Sequence, residues 1–159
     1  MISVRVYGIL INSQNEILVS DEHIRGGYYT KFPGGGLELG EGTRDCLKRE
    51  FQEEMQLHID VGEHLYTTDF YQQSAFNPAA QILSIYYRVY ALEPIRVALK
   101  TLPFDFDETQ YARYAEIQQA EAFRFIPLSA FSEASVTLPI DKVVANMVQA
   151  RFSNSTPSY

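Results

Sequence analysis

The chain has 159 residues, of which 46% are hydrophobic and 21% charged, the composition of an ordinary folded domain. Its formal charge of −7 argues against sequence-independent binding to nucleic acid, which requires a basic surface. The same charge repels an anionic substrate at long range unless a bound cation changes the local field. We expect a single domain over residues 1–152 that contacts no nucleic acid.

Cysteine content and hydropathy limit the setting in which the protein works. Cys46 is the only cysteine, so neither an intramolecular disulfide nor a cysteine-based zinc cluster can form. The N-terminal segment alternates like a strand and lacks the pattern of a secretory signal. No apolar run is long enough to span a bilayer. We expect a cytoplasmic protein with no membrane contact.

The first third of the chain predicts strands, turns and a glycine-rich segment. Alternating residues predict a strand over 2–11, and a second short strand follows at 17–20 after a turn. The polar residues 21–27 predict a loop. Pro33 and the glycines of 34–36 exclude a helix and predict a flexible, sharply turning backbone that a ligand could approach closely.

A helix is expected next, followed by two strands. It should begin near Thr43, a residue type favoured at helix N-caps, and continue to about Met55. Strand-like patterns follow at 58–71 and 81–92 and are joined by a polar loop. Residues 93–121 are less regular and include a polar stretch of helical character.

The last segments predict one strand and one helix. Residues 122–128 predict a short strand, and apolar spacing from Ile140 to Val148 predicts an amphipathic helix with Pro139 in its first turn. The tail at 153–159 is expected to be disordered.

Three glutamates crowd one face of the predicted first helix. Glu50, Glu53 and Glu54 project within an arc of roughly 100°, where like charges destabilise a helix. Arg49 precedes Glu53 by four residues and can pair with it. Such runs usually form a solvated, mixed-charge surface. With one internal counterion, however, these acids favour a cation, and carboxylate oxygens with a backbone carbonyl suit Mg²⁺ or Mn²⁺.

The segment from Gly35 to Leu57 resembles the Nudix box. The box reads G, five residues, E, seven residues, then R-E-apolar-x-E-E-x-G-apolar. This chain has the matching charged and glycine residues at the family's spacing through the second glutamate of the pair: Gly35, Glu41, Arg49, Glu50, Glu53 and Glu54. KFPGGG and RFIPLSAF are similar to segments that flank the box. Gln56 departs from the pattern, because the family has glycine there, and the end of the helix is therefore in doubt.

The resemblance implies a fold and an activity. The implied fold is a Nudix-type α/β/α sandwich with a mixed β-sheet. The implied activity is hydrolysis of a diphosphate linkage in a nucleoside diphosphate joined to a group X, with Mg²⁺ or Mn²⁺ as cofactor. Glu50, Glu53, Glu54 and the Gly35 carbonyl would bind metal, and Arg49 would orient the acids.

The family does not fix which residue is the general base. Glu50 or Glu53 is the first choice, with Arg49 as a further catalytic residue. Glu116 and Glu121 are additional candidates on later loops, although either could be an ordinary surface acid. A further acid of the box, Glu41, would help close the geometry between loop and helix and touch metal through water.

Aromatic residues and the cysteine have structural explanations as well as functional ones. Tyr28, Tyr29 and Phe76 could stack on a nucleobase, whereas core packing or a homodimer interface is the commoner use of such residues. Cys46 lies one turn before Glu50 and, without a recognisable histidine partner, is expected to be a small buried residue.

Two other functions stay open. A Nudix-fold domain could sense a nucleotide without cleaving it, but such domains usually have a damaged box or an added DNA-binding domain. An isomerase of the isopentenyl diphosphate type shares the fold and needs a catalytic cysteine in another setting than that of Cys46.

Overall fold

The computed structural model describes residues 1–153. Its strands are β1 (Ile2–Leu10), β2 (Glu16–Ile24), β3 (Gly27–Lys31), β4 (Gly34–Gly36), β5 (Ile59–Thr67), β6 (Gln81–Ala91), β7 (Leu99–Lys100) and β8 (Gln119–Pro127). Its helices are α1 (Thr43–Met55), α2 (Glu108–Ile117) and α3 (Pro139–Phe152), with single 3₁₀ turns at Leu128–Ala130 and Glu133–Ser135. The disordered tail predicted for 153–159 lies, from residue 154 onward, outside the described residues.

The strands form two four-stranded sheets, each of which mixes parallel and antiparallel pairs. One sheet has the order β4-β1-β6-β5 and the other β3-β2-β8-β7. The pairs β1–β6 and β7–β8 are parallel, and the remaining pairs are antiparallel. The predicted mixed α/β class is confirmed, but the strands form two mixed sheets rather than one.

The chain divides into two compact units, each of which contains one sheet. The first unit comprises Met1–Leu10 and Phe32–Val97, and the second comprises Ile11–Lys31 and the chain from Ala98 onward. In the first unit, α1 buries four residues of one face: Cys46, Leu47, Phe51 and Met55. The Phe51 ring packs directly over Gly8 of β1, where a Cβ atom would collide with it. The opposite face of α1 is left for charged residues.

The three consecutive glycines form a strand rather than a flexible turn. Gly34, Gly35 and Gly36 pair antiparallel with β1, so the prediction of a flexible backbone is wrong. Pairing with β1 supplies the hydrogen bonds that fix this segment, and local glycine content does not reveal such a partner. The glycines therefore hold the chain that leads to α1 at a defined position against β1.

Helix α1 has the predicted bounds, but its N-cap is different. Gly42 is the N-cap, and Cys46 N donates to its carbonyl at 2.9 Å. Thr43 is the first helical residue, and its hydroxyl is 2.7 Å from the Tyr87 hydroxyl, so the predicted Thr43 cap is wrong. The Asp45 carboxylate accepts from Gly42 N at 3.3 Å, so the side chain of the third helical residue bonds back to the N-cap backbone.

The end of α1 shows how the chain accommodates Gln56 in place of glycine. Gln56 adopts the left-handed conformation, with φ 49° and ψ 39°, and its N–H donates to the Gln52 carbonyl at 3.0 Å. Its side-chain amide also donates to the Glu53 carbonyl at 3.2 Å. The helix therefore ends at the position where the family pattern has glycine. Because this conformation strains any residue with a Cβ atom, Gln56 lowers the stability of the fold there.

In the second unit, the loop predicted for 21–27 is a β-hairpin. Strand β2 continues to Ile24, and Arg25 and Gly26 form a two-residue turn in which both φ angles are positive, 46° and 86°. Two positive φ angles are typical of the tight turns that match the twist of paired strands. The prediction is wrong because pairing with β3 and β8 keeps these polar residues extended.

A buried ion pair holds the second sheet together. The Asp21 carboxylate is fully buried and accepts from Arg124 Nε at 2.6 Å and from the Thr30 hydroxyl at 2.7 Å. Arg124 Nη2 adds a bond of 3.1 Å. A buried carboxylate needs such compensation, so this network fixes the relative register of β2, β3 and β8.

We predict that Gln56→Gly raises the free energy of unfolding by about 0.5–1 kcal/mol, because glycine relieves the left-handed strain. The matched control is Gln52→Gly, on the exposed surface within the same helix. It should lower the free energy of unfolding by about 1 kcal/mol. Urea denaturation measures both changes. Destabilisation by Gln56→Gly comparable to that of the control would contradict the assigned helix end.

Candidate active site

The charged face of α1 is organised around the guanidinium of Arg49. This group donates to Glu41 through Nε at 2.9 Å and through Nη2 at 2.7 Å. Nη2 also donates to the carbonyl of Gly36, the last residue of β4, at 3.0 Å. One side chain therefore connects helix α1, the strand before it and the loop between them.

Glu41 and Arg49 form a bidentate ion pair. Two parallel N–H···O bonds of this kind are stronger and more directional than a single contact. Hydrogen bonding to Arg49 lowers the pKa of Glu41 from its ordinary 4.5 to about 2 and raises the pKa of Arg49. The Glu41 carboxylate also accepts from the backbone N–H of Glu38 at 2.9 Å, so the loop closes on itself.

The carboxylate of Glu50 lies against the backbone of Gly35. A Cβ atom at Gly35 would occupy the same space as the Glu50 carboxylate carbon and both of its oxygens. Glu50 Oε1 also accepts from Arg49 Nη1 at 3.0 Å, and the Glu50 side chain is only 12% exposed. The first glycine of the box is therefore required by the position of a carboxylate.

The other acids of this face are more exposed. Glu53 Oε2 accepts from Arg49 Nη1 at 3.2 Å, one turn further along α1, and its side chain is 58% exposed. Glu54 is half-buried on the same helix. Glu38 was not predicted: its Oε1 lies 3.6 Å from Arg49 Nη1. The available signal was a second glutamate within the glycine-rich segment, three residues before Glu41.

Of the predicted box residues, the structure gathers Glu41, Glu50 and Glu53 around Arg49, and Gly35 lies against the Glu50 carboxylate. Among residues 1–153, no group of three or more His, Cys, Asp or Glu side chains has an arrangement that could hold a metal ion as it stands. Carboxylate oxygens of the cluster are directed at the guanidinium.

Cys46 is buried, as predicted, beneath this cluster. Its Sγ lies 3.5 Å from the Gly36 carbonyl and 3.7 Å from Arg49 Nη2. Burial, together with the hydrogen bond to Glu41, raises the pKa of the thiol to about 12. The side chain is therefore protonated at neutral pH and is not a thiolate nucleophile.

The two additional acid candidates belong to the second unit and do not lie on loops. Glu116 is exposed on helix α2. Glu121 lies on strand β8, where its Oε2 accepts from the Ser20 hydroxyl at 2.9 Å. The helical stretch expected within 93–121 is α2, which begins after the Asp107 N-cap and carries Glu116. The loop position expected for Glu121 is wrong, because β8 begins directly after this helix.

The aromatic candidates differ in their surroundings. The Tyr29 hydroxyl lies beside Gly27 on strand β3, where a Cβ atom would collide with it. Tyr28 is exposed on one side and stacks on His23, with ring centroids 4.1 Å apart. Phe76 is exposed in the loop between β5 and β6, and its N–H donates to the Ser74 hydroxyl.

The fold and the acid cluster define a class of α/β protein in which a glycine strand and the following helix present carboxylates around one arginine. The family model of the NUDIX domain matches residues 1–133. The chain therefore belongs to the Nudix family, as the box predicted, and is a hydrolase of pyrophosphate bonds. No curated protein sequence matches the chain at a significant level.

Solved structures agree with this family at the level of the fold. A MutT protein from Methanosarcina mazei is 12% identical, with 97% of this chain and 96% of that chain aligned and a TM-score of 0.64. A MutT Nudix hydrolase from Burkholderia pseudomallei is 15% identical, with 91% and 95% aligned and a TM-score of 0.63. An ADP-ribose pyrophosphatase from Streptococcus suis is 15% identical, with 96% and 92% aligned and a TM-score of 0.55.

We predict that the Glu41 carboxyl titrates near pH 2 and that Arg49→Lys moves its pKa up toward 4.5. The lowered pKa means that ionised Glu41 stabilises the fold above about pH 4.5, and that this contribution is lost as the pH falls toward 2. Carboxyl ¹³C chemical shifts followed against pH measure both values. A Glu41 pKa near 4.5 in the wild type would contradict the bidentate pair.

We also predict that Gly35→Ala lowers the free energy of unfolding by about 1 kcal/mol, because the new methyl group displaces the Glu50 carboxylate from Arg49. Gly36→Ala is the matched control, since a Cβ atom there meets only Arg5 Nη1 at an ordinary 3.5 Å. The control should change stability by less than about 0.5 kcal/mol. Equal effects in urea denaturation would refute the proximity of Gly35 and Glu50.

Proposed function

We propose that this protein hydrolyses a diphosphate linkage in a nucleoside diphosphate joined to a group X, with Mg²⁺ or Mn²⁺ as cofactor. The observation that carries the proposal is the gathering of Glu41, Glu50 and Glu53 around Arg49 beside Gly35, within a Nudix domain. Family membership supports a nucleotide-type substrate in general, and the metal and the site residues are our proposal.

The chemistry of the donor set fits a hard divalent cation. Glu50, Glu53 and Glu54 supply carboxylate oxygens from one helix, and Gly35 would add its backbone carbonyl. The close approach of the Glu50 carboxylate to Gly35 supports this grouping, because it brings two of the proposed ligands side by side. Oxygen ligands of this type suit Mg²⁺ and Mn²⁺. A bound ion would neutralise the diphosphate and polarise the attacking water.

Arg49 and Glu41 act as positioning residues in this proposal. The Arg49 guanidinium donates to the Gly36 carbonyl and to Glu50, so it fixes the helix face relative to the strand that carries Gly35. Glu41 holds the guanidinium in plane through two bonds and would contact a bound metal through water. Loss of either residue would displace the carboxylate that accepts the proton from the position that the reaction needs.

Glu50 or Glu53 accepts the proton of the attacking water. Both lie within reach of the same Arg49 nitrogen, and a general base must stand within hydrogen-bond distance of the water that it activates. Glu116 and Glu121 stay as further candidates from the second unit. Glutamine substitution at each of the four positions separates them, because only the base combines lost turnover with retained nucleotide binding.

We also propose which aromatic residues contact the substrate, where the protein works and in which oligomeric state. Tyr29 and Phe76 would contact the nucleobase or group X. The chain would work as a single Nudix domain in the cytoplasm, without nucleic acid or membrane partners, as a monomer or homodimer. Among the described residues, no helix has the length and apolarity to cross a membrane.

A nucleotide sensor without activity is the main alternative. The features that would favour it are a damaged box or an added DNA-binding domain. The box retains its charged residues through Glu54, and its departure at Gln56 preserves the left-handed helix end. The isomerase alternative requires a reactive cysteine, whereas the pKa of Cys46 is raised to about 12 by burial. Hydrolysis is therefore the function that the geometry supports best.

We expect metal-dependent turnover in a panel of nucleoside triphosphates, nucleotide sugars, dinucleotides and ADP-ribose. The panel should be assayed with Mg²⁺ and with Mn²⁺ by chromatography of the phosphate-containing products. Glu53→Gln should lower kcat at least about 100-fold on any active substrate, since removal of a base or metal ligand typically costs that much.

Asp60→Asn is the control for loss of one acid, because Asp60 is exposed on β5 in the same unit. It should retain wild-type turnover. Tight nucleotide binding with no turnover across the panel would favour the sensor. Unchanged turnover in Glu53→Gln would overturn the assignment of the site while leaving the hydrolase intact.

A further inference from the structure

Arg49 engages oxygens that the proposed metal site also requires. Its Nη1 nitrogen lies 3.0 Å from Glu50 Oε1, 3.2 Å from Glu53 Oε2 and 3.6 Å from Glu38 Oε1. A carboxylate oxygen that accepts from a guanidinium N–H cannot direct the same lone pair at a metal ion. Arg49 and a divalent cation therefore compete for part of the acid cluster.

The contacts of Arg49 differ in how firmly they are held. Glu41 forms two bonds with the guanidinium, and its side chain is only 14% exposed. Glu53 forms a single contact, and its side chain is 58% exposed. Single exposed ion pairs are weak because water and salt screen them. Glu53 can thus leave Arg49 with little loss, whereas Glu41 keeps the guanidinium in place.

We propose that Arg49 is a built-in counterion of the acid cluster and that Glu53 exchanges between Arg49 and divalent metal. This inference rests on the proposed metal site and adds a role for Arg49 beyond orienting the acids. When no metal is bound, the guanidinium partly offsets the negative charge of Glu50, Glu53 and Glu38 and so reduces the repulsion among these acids. Binding of metal then releases Glu53 while the pair with Glu41 persists.

A counterion role and a purely orienting role for Arg49 predict opposite changes in metal affinity when Arg49 is removed. If Arg49 only oriented the acids, its removal would weaken metal binding, because the ligands would be misplaced. If it competes for them, its removal eliminates a positive charge next to the ion and tightens binding. Charges that lie a few ångströms apart in a partly shielded site interact strongly enough to change affinity about tenfold.

Binding of Mn²⁺ alone, measured by electron paramagnetic resonance, tests the sign of this change. Arg49→Gln should bind Mn²⁺ about tenfold more tightly than wild type. Lys48→Gln removes the same charge from an exposed position on the same helix and should change affinity less than about twofold at physiological salt. Weaker binding by Arg49→Gln would overturn the counterion role while leaving the metal site intact. Absence of Mn²⁺ binding in every variant would instead contradict the proposed metal site.

Thermal unfolding in the presence of EDTA tests whether Arg49 stabilises the acid cluster when no metal is bound. Arg49→Gln should lower Tm by about 5 °C. Adding Glu53→Gln to that variant should recover part of the loss, although the same change in the wild type should not raise Tm. If the Tm changes of Arg49→Gln and Glu53→Gln were strictly additive in the double variant, the exchange of Glu53 would be overturned.

Arg49→Lys is the variant to use if Arg49→Gln does not fold. It keeps a positive charge at this position, and it should bind Mn²⁺ within about threefold of wild type. Binding about tenfold tighter by Arg49→Lys would contradict a role that depends on charge.

Discussion

The geometry of this site depends on the hydrogen bonds of one guanidinium. Arg49 donates to Glu41 in the loop, to the Gly36 carbonyl at the end of β4, and to Glu50 and Glu53 on its own helix. Because the guanidinium is planar and its donors are rigidly spaced, these acceptors cannot move independently. Arg49 thus converts a run of repelling acids into a cluster of defined geometry.

Strand β4 is the second constraint, since it sets where the cluster lies. Pairing of Gly34–Gly36 with β1 holds the glycine backbone in place, and the Glu50 carboxylate fills the space that a Cβ atom of Gly35 would occupy. Buried residues on the opposite face of α1, such as Phe51 over Gly8, hold the helix against the same sheet. Packing on one face of α1 therefore positions the chemistry on the other.

The sequence predicted the local features well and the long-range ones poorly. Helical spacing was sufficient for the bounds of α1 and for the placement of Glu50 and Glu53 beside Arg49. Glu41 was expected only from the resemblance to the box, and Glu38 was not expected. Spacing could not show that polar residues 21–27 extend a strand, or that Glu121 lies on β8, because partners distant in the chain decide strand pairing. The end of α1 could be predicted only in part. The sequence pattern located the end of the helix, but only the structure showed that Gln56 adopts the left-handed conformation.

We propose that the acids around Arg49 form the metal site of this Nudix hydrolase. Anomalous diffraction from crystals grown with Mn²⁺ tests it most directly, because the signal locates the ion without reference to turnover. We expect a Mn²⁺ peak bounded by the Gly35 carbonyl and the carboxylates of Glu50 and Glu53, with the pair between Glu41 and Arg49 intact. A Mn²⁺ peak elsewhere, with Glu50 and Glu53 still bonded to Arg49, would contradict it.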